Sequence, residues 1–196
     1  MANAAKLACL AVLAVTILLL QVSCAAARSH SHHGGGKCRA TGFLVGKGHR
    51  CNRQQGSECC VSGRRYPQFR CSPPVSKRTP ATLTLNGFES GESGGAPGAC
   101  DGRFHRDSEM VVALSSGWLR LDGVHRCNKK VRVTGSHGKS VVARVVDECD
   151  SVNGCDAEHN FEPPCASNVV DASPAVWKAL GLDTDLGEVH VTWSDA

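Results

Sequence analysis

The chain has 196 residues, and its 22 Lys and Arg exceed its 18 Asp and Glu, for a net charge of +4. A surplus this small, with basic residues scattered and interrupted by acids, gives no reason to expect a nucleic-acid partner. The length suits one barrel-sized domain, with or without a small appendage, and the unusual count is 12 cysteines.

The first residues read as a targeting segment. Lys6 precedes an unbroken apolar run, Leu7 to Leu20, and Ala25 and Ala27 supply an A-x-A cleavage pattern. A basic start, a short apolar stretch and small residues at the cut define a secretory signal peptide, here residues 1–27. The run is shorter than the ~20 residues that a bilayer span needs, so no membrane association is expected. Cys9 and Cys24 leave with the signal. The ten that remain are Cys38, Cys51, Cys59, Cys60, Cys71, Cys100, Cys127, Cys149, Cys155 and Cys165. An even set in a secreted chain is a disulfide framework. Zinc is disfavoured, because no C-x2-C pair occurs and adjacent Cys59 and Cys60 suit bridges to different partners. Five of the ten precede residue 72 and five follow it. With all ten paired, at least one bridge joins the two halves. No N-x-S/T sequon is present, so no N-glycan is expected.

Residues 28–37 begin RSHSHHGGG, a polar, glycine-rich and flexible tail. Cleavage after Ala27 would leave a free amine with His30 third, a pattern that chelates copper; the reading adopted is a solvated tail. Residues 38–80 form a cysteine-rich segment ending in a proline-rich connector, Ser72 to Pro80. The apolar side chains of its first part, Phe43, Leu44, Val45, Val61, Tyr66 and Phe69, are too few for a core without bridges.

From Ala81 to the C-terminus the pattern is mostly that of strands. Ala81 to Leu85 alternates, the loop Glu89 to Gly98 follows, and Met110 to Leu114 is a short buried-strand candidate. Lys130 to Thr134 and Val141 to Val146 flank the turn Ser136 to Lys139 as a hairpin. Ser173 and Pro174 open a helix over Ala175 to Leu180, which Gly181 ends; Val176 and Leu180 share one face and should pack on the barrel. Val189 to Trp193 is a last alternating strand. Strands with one late helix suggest a small β-barrel over residues 81–196.

A set of segments resembles the kiwellin family, the ripening-related proteins of plants. They are Cys71 to Pro74, Val111 to Ser115 with Gly117 and Trp118, Gly138 to Val141, Val145 to Asp150, Gly154 to Asp156, Pro163 to Cys165, and Val170 through Trp177 to Asp183. The similarity runs from about Cys38 to the C-terminus. It implies a mainly β fold, a six-stranded double-psi β-barrel related to barwin, to the first domain of expansins and to lytic transglycosylases of the rare-lipoprotein type. It also implies secretion to the apoplast or cell wall, and binding of a protein partner, such as a microbial effector, in defence or fruit ripening. No enzyme activity, cofactor or metal is implied.

Asp147, where an apolar strand stops, matches an acid with which glycan-cleaving relatives protonate the glycosidic oxygen. The resemblance places a catalytic His after the strand Val111 to Leu114 in the transglycosylases, where this chain has Ser115 and Ser116. The expansin-type His-Phe-Asp triplet is absent from the last strand, where His190 should face outward. Asp101, Asp107, Asp150, Asp156 and Asp171 are further carboxylates whose proximity the sequence does not give. Calcium could use Asp147, Glu148, Asp150 and Asp156, but the EF-hand ligand spacing is missing. Trp118, beside Gly117, is the aromatic expected at a binding surface, whereas Trp177 and Trp193 suit the core. The expected site is a groove beside Asp147 between the loops Glu89–Gly98 and Asp150–Cys165. Asp147, Asp150, Trp118 and Asp156 bind there, and Asp147 is the one catalytic candidate. The alternative function is a cell-wall carbohydrate-binding or weakly glycan-active, expansin-like protein that uses Asp147.

Overall fold

A computed structural model describes residues 38–93 and 95–196; the expected signal peptide and tail lie outside them. Eight strands are present: β1 Gly42–Val45, β2 Arg65–Gln68, β3 Thr79–Leu85, β4 Val111–Ser115, β5 Lys130–Gly135, β6 Ser140–Cys149, β7 Val169–Ala172 and β8 Glu188–Asp195. Among the described residues one α-helix, α1, spans Pro174–Leu180. Strands β3 to β8 close into a barrel in the order β3-β7-β4-β6-β5-β8. β3 with β7 and β4 with β6 are parallel; the other neighbours are antiparallel. Exchanging β3, β4 and β5 for β6, β7 and β8 returns the same ring and the same two parallel pairs. The barrel is thus two interlocked three-strand halves, a double-psi β-barrel.

Alternation selects what enters the barrel. Leu83, Val112, Leu114, Val131, Val133, Val145, Val170, Val191 and Trp193 fill it together with Trp118 and Trp177. Every residue of β4 is buried, because β6 and β7 flank it and both of its faces are covered. Pro80 precedes the pairing with β7, which starts at Thr82, so its missing N–H removes no bond on that side. The expected hairpin is present, with Lys130 opposite Arg144 and Thr134 opposite Ser140. In α1, Val176, Trp177 and Leu180 are buried against the barrel, and Gly181 ends the helix with a left-handed φ of 73°. Ser173 holds the N-cap position, but its hydroxyl donates to the Glu109 carbonyl (2.7 Å) and not to the helix.

Four features were not read from the sequence, the first being β7. β1 and β2 form a separate two-stranded sheet within the cysteine-rich segment. β3 starts at Thr79, inside the expected connector. A π-helical turn, Gly117–Leu121, follows β4. This turn overturns the expectation that Trp118 is exposed. The ring is fully buried, packs edge-on against Trp193 (5.0 Å between centroids), and donates from Nε1 to the Pro73 carbonyl (2.7 Å). Gly117 marks a close approach of chain segments, since a Cβ there would lie 2.3 Å from the Ser72 backbone nitrogen. Trp118 therefore anchors the proline-rich connector to the core.

All ten cysteines pair: Cys38–Cys71, Cys51–Cys59, Cys60–Cys155, Cys100–Cys127 and Cys149–Cys165. Cys60–Cys155 is the bridge between the halves. It sits in a small buried cluster with Tyr66 and Leu44, and the Phe69 N–H to Ser151 carbonyl bond (2.7 Å) also joins the two halves. This bridge spans 95 residues, and the chain-entropy model assigns a loop of that length about 4–5 kcal/mol. Replacing Cys60 and Cys155 together by Ser should lower unfolding stability by up to that amount in urea. Limited proteolysis should then cut residues 38–71 before the barrel.

Candidate functional site

The outer face of the barrel beside β4 carries the site. Ala113 pairs with Asp147 on β6 and with Asp171 on β7, so two carboxylates flank one small buried side chain. The register with β6 skips a residue here: Val112 pairs with Val145 and Ala113 with Asp147, leaving Val146 as a bulge. Under unbroken alternation, Asp147 would share the inward face of Val145. With the bulge, Val146 keeps its outward place in a cluster with Phe88, Val111 and Ala113, and Asp147 joins it on the same face. Asp171 reaches this face by simple alternation, between the inward Val170 and Ala172.

Asp147 Oδ1 accepts from the N–H groups of Ala99 and Glu148, both at 2.8 Å. The Ala99 loop rests on the bulge; a Cβ on Gly98 would lie 2.7 Å from the Val146 carbonyl oxygen. His105 steadies that loop through Asp101 (3.2 Å) and Glu109 (3.3 Å), and Arg144 joins at Asp101 (3.0 Å). Asp171 accepts from the Thr84 hydroxyl at 2.6 Å. Burial pushes Asp147 up to about 6, against the pull of its two backbone donors. Burial likewise pushes Asp171 up to about 7, against the Thr84 bond and helped by the charges of Glu162 and Asp147. Burial also raises Glu162. Asp171 keeps a water-facing edge but is packed around otherwise, which suits the floor of an open groove.

That groove measures ≈ 1190 Å³ and is lined by nine carboxylates, with Arg120 and His159 as the basic side chains and no Phe, Tyr or Trp. Its walls come from the neighbourhood of Gln55, the loop around Ala96, the loop from Asp150 to Ala166, and the turn Asp185 to Glu188. Of the expected binding residues, Asp147, Asp150 and Asp156 line it and Trp118 does not. Asp171 and Thr84 complete it, and Asp101 and Asp107 lie elsewhere.

Several acids have structural work. Burial opposes ionisation of Asp150, yet bonds from Asn153 and from the Val152 N–H (2.7 Å) hold it below the usual carboxylate range. Asp156 is likewise lowered despite burial by its bond to His159 Nδ1 (2.6 Å). Burial lowers the His159 pKa, but Asp156 and Asp150 outweigh it and raise the pKa overall. Glu148 pairs with Arg120 at 2.7 Å. The four acids considered for calcium are thus each engaged, Asp150 and Asp156 sharing His159, and no group of three side chains suited to a metal occurs among the described residues. Ser115 and Ser116 are buried. Ser115 donates to the Ala166 carbonyl and accepts from the Val169 N–H, both at 2.8 Å, and Ser116 accepts from the Ser151 N–H. Ser115 and Ser116, in place of the His considered from the resemblance, are therefore a latch for the groove wall. His190 is exposed, as expected.

A family model described as Kiwellin-1 matches residues 1–196, and the chain belongs to the kiwellin family. The putative ripening-related protein 4 of Oryza sativa subsp. japonica is 70% identical over 162 residues, which cover 82% of this chain and 75% of that protein. The kiwellin of Actinidia chinensis var. chinensis is 54% identical over 134 residues, 68% of this chain and 62% of that protein. Among solved structures, a mutant Clavibacter michiganensis expansin in complex with cellohexaose is similar at 24% identity and a TM-score of 0.44. The match covers 61% of this chain and 50% of the expansin, a likeness too slight to bear on function. Five disulfides and these relatives suggest an extracellular protein.

Asp171 yields a pH test. The unfolded carboxyl titrates at its ordinary 3.8 and the folded one at about 7, so the folded state holds its proton longer. The cost of ionising it is absent below about pH 4, grows from there to pH 7, and is complete above. Asp171→Asn, which keeps an acceptor for Thr84, should match the native chain in urea stability at pH 4. At pH 8 it should exceed it by on the order of 2 kcal/mol, less than the full shift implies because the edge stays wet.

Proposed function

We propose that this kiwellin is a secreted, non-enzymatic binding protein of the apoplast or cell wall, whose groove takes a cationic segment of a protein partner. The observation that carries this reading is the lining, with nine carboxylates and no Phe, Tyr or Trp. A neutral sugar chain is gripped largely by stacking on aromatic faces, and the groove offers none. A segment rich in Lys and Arg gains charge-assisted bonds and electrostatic steering from the same surface. The walls are loops on a rigid barrel, held by Cys149–Cys165 and Cys60–Cys155. They are therefore shaped before the partner arrives. A microbial effector is a partner of this kind; fruit ripening is the setting that the relatives' names suggest, and defence is the setting that the sequence resemblance implies.

The test compares the native chain with a Glu158→Lys, Glu188→Lys variant, two exposed groove acids whose loss disturbs no ion pair among the described residues. Both are immobilised and exposed to extracellular fluids of plant tissue and of microbial cultures, and each captured protein is then titrated. The native chain should bind at least about tenfold more tightly than the variant, with affinity falling as salt rises. Affinity should also increase from pH 5 to pH 8 as Asp147 and Asp171 ionise. Equal capture by both, or none by either, sinks the reading.

A second reading, a cell-wall carbohydrate-binding or glycan-active protein, rests on the Asp147 and Asp171 pair. Two strand spacings set their Cα atoms about 10 Å apart, near the carboxyl separation of about 6.5–9.5 Å used by inverting glycosidases. A carboxyl protonated near neutrality can serve as a general acid. Incubation with cellulose, xyloglucan, chitin and peptidoglycan should then release reducing ends, and Asp147→Asn or Asp171→Asn should abolish the release. No release from any glycan retires the enzyme, and retention without cleavage leaves a carbohydrate-binding module.

A further inference from the structure

Divided by module, the cations are not scattered. Residues 38–71 hold seven Lys and Arg against one acid, Glu58, whereas residues 72–196 hold twelve against seventeen. All seven are exposed. None of them joins an ion pair among the described residues, in contrast to Arg120, Arg126 and Arg144 of the barrel. The segment is rigid. Cys38–Cys71 closes it, Cys51–Cys59 ties its inner loop, and Cys60–Cys155 fixes it to the barrel.

The sheet of β1 and β2 has an inner and an outer face. Leu44 and Tyr66, paired across it, point into the small core. Phe43, Val45, Arg65 and Pro67 occupy the other face and are exposed. The Arg65 guanidinium lies over the Phe43 ring, 4.3 Å from its centroid. Stacking of this kind holds the guanidinium plane in place and leaves its N–H edge available. Arg65 makes no side-chain hydrogen bond among the described residues, so that edge is uncommitted.

We propose that this face is a second binding surface, for a carboxylate-bearing polysaccharide, a polyuronate. Carboxylates repeated along a stiff polymer match cations spread over a stiff surface, and a guanidinium fork receives a carboxylate through two parallel bonds. Phe43 and Val45 offer an apolar strip to the C–H faces of the sugars. Insertion into a lipid bilayer suits the face less, because Arg65 already covers the aromatic ring that would enter it. The site is independent of the groove, whose acids repel such a polymer.

The test measures binding of the full chain to polygalacturonate, to its fully methyl-esterified form, to vesicles of phosphatidylcholine with phosphatidylserine, and to duplex DNA. The expected result is salt-sensitive binding to polygalacturonate, with the methyl ester, vesicles and DNA bound far more weakly. Arg64→Glu with Arg65→Glu should lower that affinity at least about tenfold at low salt, with thermal unfolding unchanged. Lys47→Glu with Arg50→Glu, at exposed loop positions, serves if the first pair fails to fold. The groove variant Glu158→Lys, Glu188→Lys should bind polygalacturonate undiminished, which separates failure here from failure of the groove reading. Equal binding to the methyl ester, a preference for vesicles or DNA, or full binding by a folded arginine variant overturns the proposal.

Discussion

Val146 is one residue more than the parallel ladder between β4 and β6 can pair, and the site depends on that surplus. The bulge changes which way the end of β6 faces. It moves Asp147 from the barrel interior, where an ionised carboxylate would be costly, to the outer face beside Ala113. It also exposes the Val146 carbonyl to the Cys100 N–H (3.0 Å), which seats the loop that supplies the Ala99 donor. One register change thus places the acid, its backbone partner and the wall above it. Ala113 completes the arrangement, since a larger side chain between Asp147 and Asp171 would fill the floor of the groove.

Charge is divided between modules, and within the groove between two kinds of acid. Asp150 and Asp156 are held ionised by backbone donors and His159, and they shape the loop. Asp147, Glu162 and Asp171 are raised by burial, and at their positions the loss of water outweighs the bonds they accept. The first kind is architecture with a constant charge. Of the second, Asp147 and Asp171 vary their charge across mildly acidic to neutral pH while their geometry stays fixed by the barrel.

The strands whose apolar residues alternate over five or more positions were legible from sequence, as were the hairpin between β5 and β6 and the helix that Gly181 ends. β7 was not, because four residues give too short a pattern, and Asp171 consequently stayed one acid among several. The segment Val169 to Ala172 does carry a signal, a single acid between inward apolar neighbours. The β1–β2 sheet was hidden by Gly42, Pro67 and the cysteine-rich segments around it, which read as loop. Trp118 was misplaced because Gly117 beside it suggested a turn toward water. That glycine instead admits the Cys71–Ser72 backbone, a long-range contact that no local pattern contains. The ring order of the strands is of the same kind, since closure pairs segments far apart in the chain.

The Cys149–Cys165 bridge has a consequence for durability. It closes a ring of chain around the groove wall, and within that ring Cys155 is tied to Cys60. A peptidase that cuts one bond anywhere between Cys149 and Cys165 releases nothing, because both new ends remain covalently attached to the barrel. In a compartment rich in hydrolases, such a wall survives its first wound, and the damage shows only when the bridges are reduced.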